Sequence, residues 1–386
     1  MIKIGIVCYP TFGGSGVVAT ELGKALAETG NYQVHFITYS TPHRLDHFAE
    51  NVFYHEVDMF SYPLFQFPPY ELALASKLVH VIKYEKLDLL HVHYAIPHAS
   101  AAWLAKQILA TEQIDIPFIT TLHGTDITLV GKNGSYAPVV TFSINQSDGV
   151  TAVSEDLKRD TLKHFPICRE DIQVIPNFID LRRFKKQNKD HFKTFVCPNG
   201  EPLLVHTSNF RKVKRVEDVV RIFAAVREAM PAKLVMVGDG PDRPKAEELC
   251  RELNVMGDVR FLGKLDAVEE VLSVADLFLM PSETESFGLA ALEAMACQVP
   301  VISSNTGGLP ELNVNGVTGF LSNVGEVDEM VRNAIYILQP ENLPRFKEAA
   351  LARALEFDIT NIRPLYERYY EKVLQRQMLE KAVLEA

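Results

Sequence analysis

The feature that most restricts how this 386-residue chain can fold is a grammar of short β-branched runs alternating with longer helical patterns, and it is written twice. In the first half, "KIGIVCY" (Lys3 to Tyr9), "QVHFIT" (Gln33 to Thr38), "LDLLHVHY" (Leu87 to Tyr94), "FITTLHG" (Phe118 to Gly124) and "GVTAVS" (Gly149 to Ser154) are mostly apolar runs of strand length. Such runs suit parallel strands covered on both faces. Between the first two, Val18, Leu22, Ala25 and Leu26 share one helical face, and Gly30 stands where a C-terminal cap belongs. This is a βαβ series, which predicts an α/β doubly wound sheet.

The same pattern restarts after Glu201 with "PLLVHTS", a helix from about Val216, "AKLVMVGDG", "DVRFLG", "ADLFLMPS" and "PVISSN". The intervening "VIPNFIDLRRFKKQNKDHFKTFVCPNGEP" is polar and turn-rich, as a connection between domains would be. Two Rossmann-like domains are therefore expected, at residues 1–180 and 190–360. Leu365, Tyr369 and Val373 recur at helical spacing, so a terminal helix of about 362–386 is expected to pack back on the first domain. A chain of this length also exceeds what one core usually supports.

Charge narrows the function classes. With 39 basic and 49 acidic residues the net charge is −10, which argues against a non-specific grip on nucleic acid or stable membrane association. Five cysteines without CxxC spacing suit a reducing compartment and not a disulfide framework. The opening "MIKIGIVCYP" lacks a secretory signal core, so a cytoplasmic location is expected. Nothing in the sequence fixes the oligomeric state, and a homo-oligomer is allowed.

Sheets of this kind bind ligands at the carboxyl ends of their strands, and two facing sheets would create a cleft there. The polar motifs fall at those ends. "PTFGGSG" (Pro10 to Gly16) opens the first helix and is either a structural turn or an anion site built on free N–H groups. His93, Tyr94, His98, Thr121, His123 and Asp126 fall at one rim, either satisfying loop backbone or forming a polar ligand wall. A metal reading is weaker, because His91 and His93 are expected to alternate across a strand and no acidic pattern completes a ligand set.

In the second half, Arg211, Lys212, Lys214 and Arg215 crowd the start of a helix, either as a solvated end or to meet an anion such as a pyrophosphate. "GDGPD" (Gly238 to Asp242) is a second backbone-exposing turn. In "SETESFGLAALEAMA" (Ser282 to Ala296), Glu285 is expected in the loop after a strand. Glu293 is expected within the next helix, away from its apolar stripe. The amides of Phe287, Gly288 and Leu289 begin that helix and can donate to an anion. The bland alternative is a helix start that favours acidic groups and a solvated Glu293.

The stretch "ETESFGLAALEAMACQVPVISSNTGGLPEL" resembles the E-x7-E signature of retaining GT-B glycosyltransferases of family 4, and "VGDGP", "VIPNFID" and "NGVTGFL" resemble that family's other landmarks. "CYPTFGGSGVVATELG", "FQFPPYELALASK", "HVHYAIPHAS", "TTLHGTDIT" and "SNFRKVKRVEDV" resemble the branch that glycosylates L-malate in the first step of bacillithiol biosynthesis. The resemblance implies a GT-B fold and transfer of N-acetylglucosamine from UDP-N-acetylglucosamine to the malate hydroxyl, with the α-configuration retained and UDP released. It implies that Glu285 holds donor-sugar hydroxyls, Glu293 the ribose, and Arg211 and Lys214 the diphosphate. The family's Gly-Arg pair is replaced here by Ser208-Asn209, so Arg211 is expected to take over the arginine's role.

The resemblance also places uracil near Arg260 and Phe261, with Gly14, Asn209 and Gly238 lining the donor. It assigns Ser15, Tyr94 and Thr121 to malate, with Asn209 and Arg211 reaching from the other domain. The backbone carbonyl near His123 would support an oxocarbenium-like centre. Asp-x-Asp is absent from the sequence, so the leaving charge is expected to meet fixed cations and amides, with no metal and no cofactor. Front-face substitution is favoured over a double displacement through Glu285, and domain closure over the substrates is expected. A UDP-sugar epimerase, a hexosyltransferase for lipid or polysaccharide, and a nucleotide-sugar sensor are the alternatives.

Overall fold

The computed structural model describes residues 1–11, 13–45, 49–59, 67–131, 133–169, 171–187 and 190–385. Phe12 of the first glycine-rich turn, Phe65 and Gln66 of "FQFPPYELALASK", and Asn188 and Lys189 of the connecting stretch lie outside the described residues. The chain divides into two compact units, one of Met1–Asn177 with Ile359–Ala386 and one of Phe178–Asp358.

The first unit holds a parallel sheet of seven strands: β1 (Ile2–Val7), β2 (Tyr32–Thr38), β3 (Val52–Glu56), β4 (Leu89–His93), β5 (Phe118–Leu122), β6 (Gly149–Ala152) and β7 (Gln173–Val174). Their order is β3-β2-β1-β4-β5-β6-β7. The strands read from the sequence form the centre, where Ile4, Ile6, Phe36, Leu90, Phe118 and Ile119 are fully buried. The helix Ser15–Glu28 covers one face, and the helices Tyr70–Glu85 and Ser100–Ala110 share a core with β1, β2, β4 and β5.

The terminal helix, Ile359–Glu385, belongs to this unit. Its buried stripe is Ile362, Tyr366, Tyr369, Tyr370 and Val373, so tyrosines, and not Leu365, do most of the inward packing. Tyr369 uses its hydroxyl to accept from the Val150 N–H at 2.8 Å and donate to the Val150 carbonyl at 3.1 Å.

The second unit holds six parallel strands: β8 (Leu203–Thr207), β9 (Lys233–Val237), β10 (Val259–Gly263), β11 (Leu277–Met280), β12 (Val301–Ser304) and β13 (Gly319–Ser322). Their order is β10-β9-β8-β11-β12-β13. The helix Val216–Ala229 buries Val219, Val220, Phe223 and Val226 in a core with Leu204, Leu234, Met236 and Leu277. The stretch read as a connection is packed into this unit. Phe178 and Phe184 are buried, Arg183 pairs with Glu269 at 3.2 Å, and Lys193 pairs with Asp276 at 2.7 Å.

In both sheets the strand order reverses direction at one gap, between β1 and β4 in the first and between β8 and β11 in the second. Loops leaving the carboxyl ends of those neighbours diverge, which opens a crevice that a ligand can enter.

Candidate active site

At the second unit's switch point, the loops after β8 and β11 are tied to each other. Residues Lys212–Lys214 form a single 3-10 turn. The Lys214 Nζ lies 2.5 Å from Glu285 Oε1, and Ser282 donates its hydroxyl to the same oxygen at 2.9 Å. The Glu283 N–H donates to the Val213 carbonyl at 2.7 Å. A cation and a carboxylate are thus held side by side on opposite lips of the crevice. The neighbouring charges divide differently from the expected four-cation cluster. Arg215 pairs with Asp218 at 2.6 Å, in the first turn of the following helix, and so offsets its own cost there. Arg211 is exposed with no acidic partner among the described residues, leaving it available to an anion.

The glycines of these motifs are explained by backbone contact. A Cβ on Gly238, whose φ is 121°, would lie 1.8 Å from the Ser208 carbonyl oxygen, and one on Gly240 would lie 2.0 Å from that of Asn209. The "GDG" turn therefore buttresses the loop that carries Asn209, Arg211 and Lys214. In the same way Gly307, at φ 58°, would bring a Cβ 1.9 Å from the Glu285 carbonyl oxygen, and the Gly308 N–H donates to that oxygen at 2.9 Å. Gly307→Ala should therefore cost about 3 kcal/mol and displace Glu285. Gly316→Ala is the control: its φ is 75° but nothing lies within 4 Å, so only the backbone cost of about 1 kcal/mol applies. Equal losses of thermal stability in the two variants would show that the close approach does not matter.

Gly288, at φ 97°, caps the eight-residue helix Leu289–Ala296. Phe287 is buried against Phe357, with ring centroids 5.5 Å apart. Glu293 departs from expectation, for it is only 9% exposed among Ala291, Leu292 and Ala294. This helix packs against β11, β12 and the helix Leu343–Glu356, so it has almost no solvated face. Arg260 and Phe261 lie on the outer strand β10, whose far edge offers unpaired backbone groups. The Arg260 guanidinium sits 4.8 Å over the Phe195 ring, and Arg243 sits 5.8 Å over Phe261.

At the first unit's switch point, Gly14 takes φ 61° as the cap of the first helix, and Ser15 begins that helix. Ser15 donates its hydroxyl to Tyr94 Oη at 2.8 Å, linking the loop after β1 to the loop after β4. Tyr94 itself sits at φ 88°, which is uncommon for a bulky residue and marks a strained position. Burial raises its phenol to about 12, so it stays protonated.

Thr121 is brought to the same region, but its side chain is fully buried and already engaged. Its Oγ1 lies 2.6 Å from His91 Nε2 and 2.6 Å from Thr151 Oγ1. These two contacts hold the hydroxyl inside the unit and away from solvent. His91 Nδ1 lies 2.8 Å from Tyr370 Oη, so the terminal helix anchors this chain of bonds. The expected alternation of His91 and His93 is corrected, since residues two apart share a face of a strand and these rings stack 4.4 Å apart. His123 is half-buried, and burial pushes its imidazole down to about 3, leaving it neutral. Asp126 accepts from the Ala95 N–H at 2.9 Å and the Gly124 N–H at 3.1 Å, while burial lifts its carboxyl to about 6.

Residues 12–183 match the family "Glycosyltransferase Family 4", and residues 187–352 match "Glycosyl transferases group 1". The N-acetyl-alpha-D-glucosaminyl L-malate synthase of Bacillus anthracis is 48% identical over 97% of this chain and 98% of that protein. The chain belongs to the family 4 glycosyltransferases. Among solved structures, sucrose-phosphate synthase from Thermosynechococcus elongatus aligns with a TM-score of 0.79 at 21% identity, covering 97% of this chain and all of the other. Anabaena HepE in complex with UDP and glucose aligns with a TM-score of 0.79 at 19% identity, covering 96% of this chain and 100% of that one. The fold of this glycosyltransferase is accordingly GT-B, as the two sheets and the motifs imply.

Two parts of the glycosyltransferase site were not singled out from its sequence. Ser282 holds Glu285 from three residues away, and its signal is a hydroxyl residue leading the acidic loop "SETE". Tyr370 reaches His91 from a helix distant in sequence, which no local pattern announces. Among the described residues, one group has metal-ligand spacing: His35 on β2, His55 on β3 and Glu85 at the end of the helix Tyr70–Glu85. The His35 Nδ1 and His55 Nε2 of that group are 2.9 Å apart and already share a hydrogen bond. Among the described residues of this glycosyltransferase, no helix is long and apolar enough to cross a membrane.

Proposed function

We propose that this enzyme transfers N-acetylglucosamine from UDP-N-acetylglucosamine to the hydroxyl of L-malate, with retention at the anomeric carbon and without a metal ion. The observation that carries this reading is the 48% identity, over nearly all of both chains, to the malate-glycosylating synthase of Bacillus anthracis. In the reaction, the malate hydroxyl oxygen bonds to C1 of the sugar as the bond from C1 to the β-phosphate oxygen breaks. The hydroxyl proton passes to the departing phosphate oxygen, and UDP leaves. The second unit supplies Lys214 and Arg211 against the developing diphosphate charge, with the amides at Gly288 and Leu289 as further donors. Glu285 holds sugar hydroxyls, which its bonds to Lys214 and Ser282 pre-orient. A carboxylate so engaged is a poor nucleophile, which favours front-face substitution over a covalent intermediate. From the first unit, Ser15 and Tyr94 meet the acceptor.

The test is UDP release measured with and without L-malate, followed by mass spectrometry of the product over a panel of UDP-sugars and hydroxy acids. The expected product is the N-acetylglucosaminyl malate, formed at an unchanged rate in excess EDTA. Abolition by EDTA would remove the metal-free mechanism. Turnover of UDP-N-acetylglucosamine without malate, or with another acceptor only, would replace the assigned activity.

A further inference from the structure

Two imidazoles at the ends of β4 and β5 share one hydrogen. His93 Nδ1 and His123 Nε2 are 2.8 Å apart, and their rings lie 5.0 Å apart at 23°. Burial, reinforced by the other imidazoles around them, holds both neutral. Each ring therefore carries one N–H, and only one of the two can point into the shared bond. The remaining nitrogen of His93 decides which. His93 Nε2 is buried and meets no hydrogen-bond partner. Were the shared hydrogen on His123, the hydrogen of His93 would sit on that Nε2, as a buried N–H without an acceptor. Orphaned buried donors are the rarer and costlier defect.

We propose that His93 donates its Nδ1–H to His123 Nε2 and so fixes the proton of His123 on Nδ1, making His123 a hydrogen-bond donor toward a substrate oxygen. His93 is fully buried behind His123, so it acts as a positioning residue. Its ring is held by stacking on His91, and its carbonyl accepts from His98 Nδ1. His91 is in turn fixed by Tyr370 and Thr121. The only lone pair of the His123 ring is consumed by His93. His123 therefore cannot remove the acceptor's proton, and the groups it selects are oxygens that accept: a hydroxyl oxygen or a carboxylate. The kinetic part of this inference rests on the glycosyl-transfer reading above, but the tautomer does not.

The test is a long-range 1H–15N correlation on protein labelled at histidine, with the His123 signals assigned by their loss in His123→Gln. The expected pattern is a pyrrole-type Nδ1 and a pyridine-type Nε2 for His123, and the reverse pattern overturns the proposal whatever the substrates are. In kinetics, His93→Leu removes the donor and should lower kcat/KM about tenfold or more. His93→Asn offers an amide N–H in its place and should return kcat/KM to within about threefold of the parent enzyme. Equal losses in two folded variants would overturn the positioning role. If neither variant folds, the spectrum of the unmodified protein still decides the tautomer.

Discussion

Lys214→Ala should lower kcat/KM for glycosyl transfer by roughly 10³-fold, with little change in thermal stability. The size follows from the role: removing one fixed donor that meets developing negative charge costs about 10² to 10³ in rate, and here a full charge is removed. The geometry makes the effect specific. Lys214 is held 2.5 Å from Glu285 on a 3-10 turn that is clamped by the Glu283-to-Val213 backbone bond. The substitution therefore also frees Glu285 from its orientation, and Lys214→Arg should recover only part of the loss, because a planar fork does not replace a point charge. Lys212→Ala, exposed two residues earlier on the same turn, should stay within about threefold of the parent enzyme. UDP release at saturating and limiting donor separates the cases. Lys214→Ala within tenfold of the parent would mean that the diphosphate charge is met elsewhere.

The first unit should lose several kcal/mol of stability between about pH 7 and pH 5, enough to bring its unfolding into mildly acidic solution. Burial pushes His91 and His123 down to about 3, His35 and His98 down to about 4, and His93 well below the ordinary imidazole range. Because these folded values lie below the unfolded value near 6.5, the unfolded chain takes up protons that the folded unit refuses. Their contribution is complete above about pH 6.5 and is lost as the pH falls toward 4, each imidazole costing about 1.4 kcal/mol per pH unit. Asp126 runs the other way, since burial raises its carboxyl to about 6. Its folded form holds a proton that the unfolded chain has lost, so it offsets one of the five in that window. The single tryptophan, Trp103, packs edge-on against Phe142 at 4.8 Å within this unit and reports on it alone. Its fluorescence in urea should give a midpoint that falls steadily with pH, and a midpoint unchanged down to about pH 5 would contradict the neutral imidazoles.

The sequence was most readable where strands are covered on both faces. β1, β2, β4, β5, β6, β8, β9, β11 and β12 stand out because they carry mostly apolar runs, and the edge strand β10 was read from its "VRFLG" although it is largely half-buried. The strands it did not announce, β3, β7 and β13, all lie at sheet edges. An edge strand needs no such run: β3 is "VFYHE", half-exposed, and β7 is two residues long. The motif loops were legible as strand-end features because glycines and acidic residues interrupt apolar runs there. What could not be read was how their side chains are spent. Glu293 is buried because its helix is covered on nearly every side, a fact of tertiary packing that an amphipathic pattern does not contain. The buried Thr121 hydroxyl is hydrogen-bonded to His91, which is anchored in turn by a tyrosine 279 residues away.

The first unit is assembled from two separated stretches of chain, Met1–Asn177 and Ile359–Ala386. On the ribosome, the residues Phe178–Asp358 have all been synthesised before Tyr370 can reach His91 or Tyr369 can reach Val150. The usual order, in which amino-terminal domains mature first during synthesis, is thereby reversed. The unit translated earlier must wait, with an incompletely covered sheet, until the helix Ile359–Glu385 has been made.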